Sequence, residues 1–233
     1  MAARLGILGG MGPLASAEFV RSLYEFNLAE REQEMPACIL YSDPTIPDRT
    51  AAILSGSREA EEHVVARLEE ALGCLVQCGA ERIVMTCVTA HYFLPKLKEA
   101  LRTRVVSLLD VTVDDVRRAA EPHLLFCTNG TRRVGVFEQA SGWPDVERYV
   151  VLPDEDDQEA VHELLYRVKQ GDAGEEQLRE VMSLLTKYGV RGLIAGCTEM
   201  HLLTKQLDNE RYRIADPLMT VARSAGELVN RAG

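Results

Sequence analysis

Apolar and polar positions follow one another along the chain in two alternating rhythms. Short apolar runs with the length and β-branched content of buried strands occur at Leu5–Leu8, Cys38–Tyr41, Ile83–Met85, Val105–Leu109, Val134–Phe137 and Tyr149–Leu152, and from Leu193 onward. Between them, apolar residues recur at helical spacing over Leu14–Arg31, Glu59–Cys78, His91–Leu101, Asp156–Lys169 and Glu175–Tyr188, with a last helix from about Pro217. Pro95 fits a first turn if the helix proper of His91–Leu101 begins near Phe93. Pro44 and Pro47 predict an extended loop over Ser42–Thr50. Strand and helix in alternation indicate an α/β fold with largely parallel sheets. The pattern restarts near Val134, where a strand with glycine resembles Leu5–Leu8. Two pseudo-symmetric lobes are therefore expected: residues 1–112 with 214–233, and residues 113–213. Ligands of open α/β sheets bind at the carboxyl ends of strands, so the site is expected in the cleft between the lobes.

Two of the apolar runs end alike. Ile83-Val84-Met85-Thr86-Cys87-Val88-Thr89 and Leu193-Ile194-Ala195-Gly196-Cys197-Thr198-Glu199 each carry a cysteine where a strand gives way to the next helix. Backbone N–H groups and the helix dipole at such a position favour thiolate over thiol. A single cysteine there is weak evidence; two in matched contexts suggest thiols facing one another across a substrate.

Composition narrows the classes. With 46% apolar and 27% charged residues the chain is of ordinary globular type. A net charge of −10 without a basic block argues against nucleic acid as the partner. No apolar stretch reaches the roughly 18 residues needed to span a bilayer. Met1-Ala2-Ala3-Arg4 runs directly into strand-like sequence, with no secretory segment, so the cysteines Cys38, Cys74, Cys78, Cys87, Cys127 and Cys197 are expected reduced and the protein cytoplasmic. Cys74 and Cys78 lie one helical turn apart but lack the second Cys/His pair of a metal site, and no metal is expected.

Opposed thiol and thiolate suit removal of a proton from one face of a carbon and its return on the other, which inverts a stereocentre without a cofactor. The carbanion that develops needs preorganised hydrogen-bond donors. Thr86, Thr89, Thr128, Thr131 and Thr198 are of the right kind, and Arg49 on the proline-braced loop suits a carboxylate.

The segments Gly9-Gly10-Met11-Gly12-Pro13, Pro47-Asp48-Arg49-Thr50, Cys87-Val88-Thr89-Ala90-His91, Thr128-Asn129-Gly130-Thr131 and Gly196-Cys197-Thr198-Glu199 together resemble the cofactor-independent aspartate/glutamate racemase family. The resemblance runs across nearly the whole chain. It implies two α/β lobes, a homodimer, an amino-acid substrate, and Cys87 and Cys197 as the catalytic pair. It also implies that Arg49 binds the substrate's side-chain carboxylate with help from Lys169, and that Met11, Thr89, Thr128 and Thr198 line the pocket. Gly10, Val88, Thr131, Glu199 and His91 are supporting candidates.

Two motifs depart from the family pattern. Val88 stands where the first motif usually has asparagine, which leaves a related racemase, isomerase or lyase acting on another carboxylate or amino acid as an alternative reading; a non-catalytic amino-acid-binding protein that keeps the pocket is a third. Met200-His201 replaces an apolar residue followed by proline. Some residues carry structural readings as well. His91 is either a base for Cys87 or a helix-start residue bonded to nearby backbone, and Glu199 reads equally as a first-turn acid favoured by the dipole. Gly10-Met11-Gly12-Pro13-Leu14-Ala15 matches a dinucleotide fingerprint, but Pro13 and the lack of an acidic residue at the expected spacing count against it.

Overall fold

In the computed structural model, residues 4–230 are described; Met1–Ala3, expected above to enter a strand directly, and residues 231–233 lie outside them. Among the described residues the strands form two sheets, and every pairing is parallel. The first sheet joins β1 (Arg4–Gly9), β2 (Cys38–Ser42) and β3 (Ala80–Met85) in the order β2-β1-β3. Beyond β3, Val105 adds a parallel bridge to Ile83. The second sheet joins β4 (His123–Phe126), β5 (Val150–Val151), β6 (Gly192–Ala195) and β7 (Arg213–Ala215) in the order β5-β4-β6-β7. With the Val105 bridge in fourth place, one order maps onto the other: β1 on β4, β2 on β5, β3 on β6. The repeat is one of topology, and it puts the two cysteine strands in equivalent positions.

The helices are α1 (Pro13–Glu25), α2 (Arg49–Ser55), α3 (Arg58–Gln77), α4 (Glu99–Arg102), α5 (Leu108–Ala119), α6 (Asn129–Arg133), α7 (Trp143–Val146), α8 (Glu155–Lys169), α9 (Glu175–Lys187), α10 (His201–Thr204), α11 (Pro217–Arg223) and α12 (Ala225–Asn230). Their starts follow local chemistry. Ser57 caps α3 by accepting from the Ala60 N–H, and Asp154 caps α8 by accepting from the Asp157 N–H at 2.9 Å. The α3 stripe Val64, Leu68, Ala71, Leu72 and Leu75 is buried with Ile83 and Met85 of β3. The α8 stripe Val161, Leu164, Leu165 and Val168 is buried with Leu124, Phe126 and Leu193 of the second sheet. A third apolar cluster unites both halves: Leu5, Ile7 and Val84 share it with Leu125 and Ile194, and with Leu218 and Val221 of α11.

Several elements differ from the sequence expectation. Val134–Phe137 is not a strand: Val134 closes α6, Gly135 turns at φ 54°, and Val136–Gln139 is a 3-10 turn. Val136 and Phe137 are buried there without pairing as a strand, and the strand equivalent to β1 is His123–Phe126. In Val105–Leu109 only Val105 makes a bridge; Ser107 then accepts from the Asp110 N–H and starts α5. The helix expected over His91–Leu101 is 3-10 turns over Thr89–Lys96, with Pro95 inside them, followed by α4. The first helix ends at Glu25, short of Arg31. Arg49 is not in extended chain: Asp48 caps α2 and Arg49 is its first residue.

Candidate active site

The carboxyl ends of β1, β3, β4 and β6 supply the chemistry, since Gly10–Gly12, Cys87, Thr128 and Cys197 each lie just past one of them. Gly10 is held at φ +90°, and a Cβ there would come within 2.3 Å of the Asp43 backbone, so the β1–α1 turn admits only glycine. Ser16, one turn into α1, fixes it by accepting from the Gly10 N–H at 3.1 Å and donating to the Gly12 carbonyl at 2.8 Å. Sequence reasoning missed Ser16; its signal is a hydroxyl one turn after a glycine-rich strand end.

The two cysteine segments touch. Thr198 Oγ1, next to Cys197, donates at 3.0 Å to the carbonyl of Thr86, next to Cys87. Both thiols are nearly enclosed, Cys87 at 6% and Cys197 at 5% exposure. Cys197 Sγ donates to Glu199 Oε2 at 2.8 Å. Burial pushes the Cys197 thiol well above the ordinary range, and the Glu199 carboxylate and the Cys87 sulfur push the same way, against Lys169. Cys197 thus rests as a thiol.

Two cations face this pair. Arg49 is buried, and burial opposes its charge, but the Cys87 sulfur, Asp48 and Glu199 more than offset that. Its Nη1 donates to the carbonyls of Ile46 at 3.1 Å and Pro47 at 2.9 Å, and its Nη2 to that of Met11 at 3.1 Å. Of the five guanidinium donors, the one on Nε is left without a partner. Lys169, at the end of α8, lies 4.1 Å over the Tyr166 ring. Burial opposes its charge too, yet Cys197, Glu199 and Cys87 raise its pKa. Tyr166 OH in turn donates to Asp48 Oδ2 at 3.2 Å, a contact between α8 and the start of α2.

Hydroxyls close the other side. Thr50 donates to Thr128 Oγ1 at 3.2 Å, Thr128 to Thr131 Oγ1 at 3.1 Å, and Thr89 lies 2.8 Å from Thr131 Oγ1. These threonines are bonded to one another between the two sheets. Gly130 lets them meet, because a Cβ there would lie 2.9 Å from Thr50 Cα. Met11 is buried with Cys87 and Phe93. Val88 is buried in the apolar cluster common to both halves, to which Cys127 and Phe137 also belong. Cys127 itself is fully buried, with its thiol pushed up to about 12 by burial.

His91 does not face the Cys87 sulfur. The Leu108 N–H donates to its Nε2 at 3.1 Å, so its proton is on Nδ1 and goes to the Cys87 carbonyl at 2.9 Å. Of the two readings the sequence left open, the backbone brace is the one observed. His201, four residues after Cys197 as His91 is after Cys87, has Nδ1 2.7 Å from Asp216 Oδ2 and Nε2 2.8 Å from Ser22 Oγ. This buried Ser22–His201–Asp216 chain ties α1, α10 and α11 together, and its one trace in the sequence is Asp216-Pro217, a helix start. Among the described residues no group of three or more His, Cys, Asp or Glu is disposed to hold a metal, and no helix is long and apolar enough to cross a membrane.

Comparison with known proteins agrees with this arrangement. A family model described as Asp/Glu/hydantoin racemase matches residues 8–225. The broad specificity amino-acid racemase RacX of Bacillus subtilis is 22% identical over 228 residues, covering 94% of this chain and 95% of that protein. The aspartate racemase of Picrophilus torridus superposes with a TM-score of 0.81 at 25% identity, covering 99% of this chain and 94% of the other. An aspartate racemase homologue from Pyrococcus horikoshii superposes with a TM-score of 0.68 at 21% identity, covering 100% and 99%. The chain belongs to the Asp/Glu/hydantoin racemase family.

Proposed function

We propose that the protein is a cofactor-independent amino-acid racemase acting on aspartate or glutamate, with Cys87 and Cys197 as the two bases. The observation that carries this reading is the contact of the two cysteine segments through Thr198 and the Thr86 carbonyl, at equivalent strand ends of two matched sheets. One sulfur, as thiolate, removes the α-proton; the other, as thiol, delivers a proton to the opposite face; the roles exchange for the opposite enantiomer, and proton exchange with solvent resets the pair. Arg49 holds the side-chain carboxylate with its unpartnered Nε donor and its charge, Lys169 adds the second positive charge, and Met11, Thr89, Thr128 and Thr198 bound the pocket. The lobes are residues 1–112 with 214–233, and 113–213; these boundaries fall inside α5 and β7.

The test is α-deuterium incorporation from D2O together with chiral chromatography of aspartate and glutamate. Wild type is expected to exchange and invert; Cys87→Ala and Cys197→Ala are each expected to lose inversion while keeping the wild-type circular dichroism. Full inversion by either variant removes that cysteine from the mechanism.

The proposal includes a homodimer. Leu40 is exposed on the edge strand β2, Tyr24 is exposed beside it with its hydroxyl 3.4 Å from Cys38 Sγ, and Phe26 and Leu28, which follow Tyr24 in the chain, are exposed as well. Sedimentation equilibrium is expected to give twice the chain mass, and Leu40→Glu to shift it toward the monomer; a wild-type monomer rejects the proposal.

A further inference from the structure

Among the described residues, two buried side-chain polar atoms have no hydrogen-bond partner: Arg49 Nε and Glu199 Oε1. An unpaired buried polar atom is costly, and a charged one more so, so it persists where a ligand completes it. The two atoms carry opposite charges and belong to residues that interact electrostatically. Glu199 is 1% exposed. Its Oε2 is committed to Cys197 Sγ, and its Oε1 lies against the turn before α1, where a Cβ on Gly12 would come within 2.3 Å of it. Only glycine at position 12 leaves the carboxylate this place.

We infer that Glu199 is the receptor for the substrate's α-ammonium group, and that the site therefore selects free α-amino acids over substrates whose nitrogen is acylated, ring-bound or absent. The inference rests on the racemase reading above. A carbon that exchanges a proton with Cys197 must lie against Cys197 Sγ, and the ammonium is one bond from that carbon. The Glu199 carboxylate, already in contact with the same sulfur, is the negative group within reach. Charge agrees with this assignment. Arg49 and Lys169 offer two positive groups and Glu199 one negative, the complement of a substrate with two carboxylates and one ammonium. Asp48 does not compete, because its carboxylate accepts from the Ala51 N–H at 2.7 Å and from Tyr166 OH.

The experiment pairs each ligand with its desamino analogue. Calorimetry on the full chain measures DL-aspartate against succinate and DL-glutamate against glutarate, for wild type, Glu199→Gln and Glu199→Asp. Wild type is expected to prefer the amine-bearing member of at least one pair by about tenfold or more, the size of one charge-assisted hydrogen bond. Glu199→Gln is expected to lose that preference through weaker amino-acid binding, with the desamino diacid bound as well as before or better. Glu199→Asp keeps the charge and is expected to keep part of the preference. Equal wild-type affinity for both members of both pairs overturns the inference, whether or not the variants fold. So does a preference left intact in Glu199→Gln, or a loss of affinity equal for both members. Wild-type preference without α-deuterium exchange sinks the racemase reading and leaves the ammonium receptor standing; exchange with an intact preference in Glu199→Gln does the reverse.

Discussion

The two cysteines occupy equivalent strand ends, but their surroundings differ. Cys197 is held as a thiol by burial and by a carboxylate that accepts its proton in a hydrogen bond. A helix start alone favours thiolate, and here desolvation with an adjacent negative charge outweighs it. In Cys87→Ala protein, iodoacetamide is expected to modify Cys197 slowly at about pH 8, with the rate rising as pH increases. Glu199→Gln in that background removes a charge that raises the thiol pKa, so modification accelerates, about tenfold for each pKa unit recovered. Peptide mass spectrometry separates Cys197 from the more exposed Cys38, Cys74 and Cys78. An unchanged or slower reaction in the Gln variant would contradict the electrostatic account.

At the level of elements, the site depends on close approach between segments far apart in sequence. Gly130 brings α6 against α2, and the threonine hydroxyls bond across that contact. Gly130→Ala forces a methyl group to within 2.9 Å of the Thr50 backbone carbon, which cannot swing away as a side-chain tip does. The expected cost is about 1–3 kcal/mol of stability, the range for overpacking a close contact. It is read as a lower urea midpoint, accompanied by slower α-proton exchange as Thr50 and Thr128 separate. The long helices were legible because their apolar stripes are long and carry side-chain caps, as in α3 and α8. The strand β4 was not. It is four residues long, and the more apolar Val134–Phe137 run drew the assignment although its burial comes from packing under a turn.

Across the whole molecule, stability is coupled to pH through buried groups. His91 is fully buried and accepts a hydrogen bond on Nε2, and burial holds its pKa below the ordinary histidine value. His123 and His162 are lowered as well, also chiefly by burial. Unfolding frees these rings to bind protons below about pH 6.5, so the unfolded state takes up more protons there. Their contribution is complete above that pH and is lost as pH falls toward the lowered folded values. Asp216, lowered despite burial because His201, Thr204 and backbone N–H groups hold its charge, adds a loss of the same sign below about pH 3.9. The urea midpoint is expected to decline from neutral pH to about pH 5. His91→Gln, though less stable overall, is expected to decline less steeply; an equal slope removes His91 from the linkage.

What the sequence determined by itself was local or periodic. Strand and helix alternation set the α/β class, two cysteines at matched strand ends marked the chemistry, and the segments around Gly10, Arg49, Cys87, Thr128 and Cys197 carried the family. What only the tertiary structure decided depended on which atoms meet. Arg49 donates to three backbone carbonyls, His91 faces backbone instead of sulfur, and Ser22, His201 and Asp216 form one buried chain. Glu199, one acid among many along the chain, is distinguished by an oxygen left without a partner. Hydrophobic periodicity reports which face of an element is buried, and hydrogen-bond partners follow from the folding of distant segments onto one another.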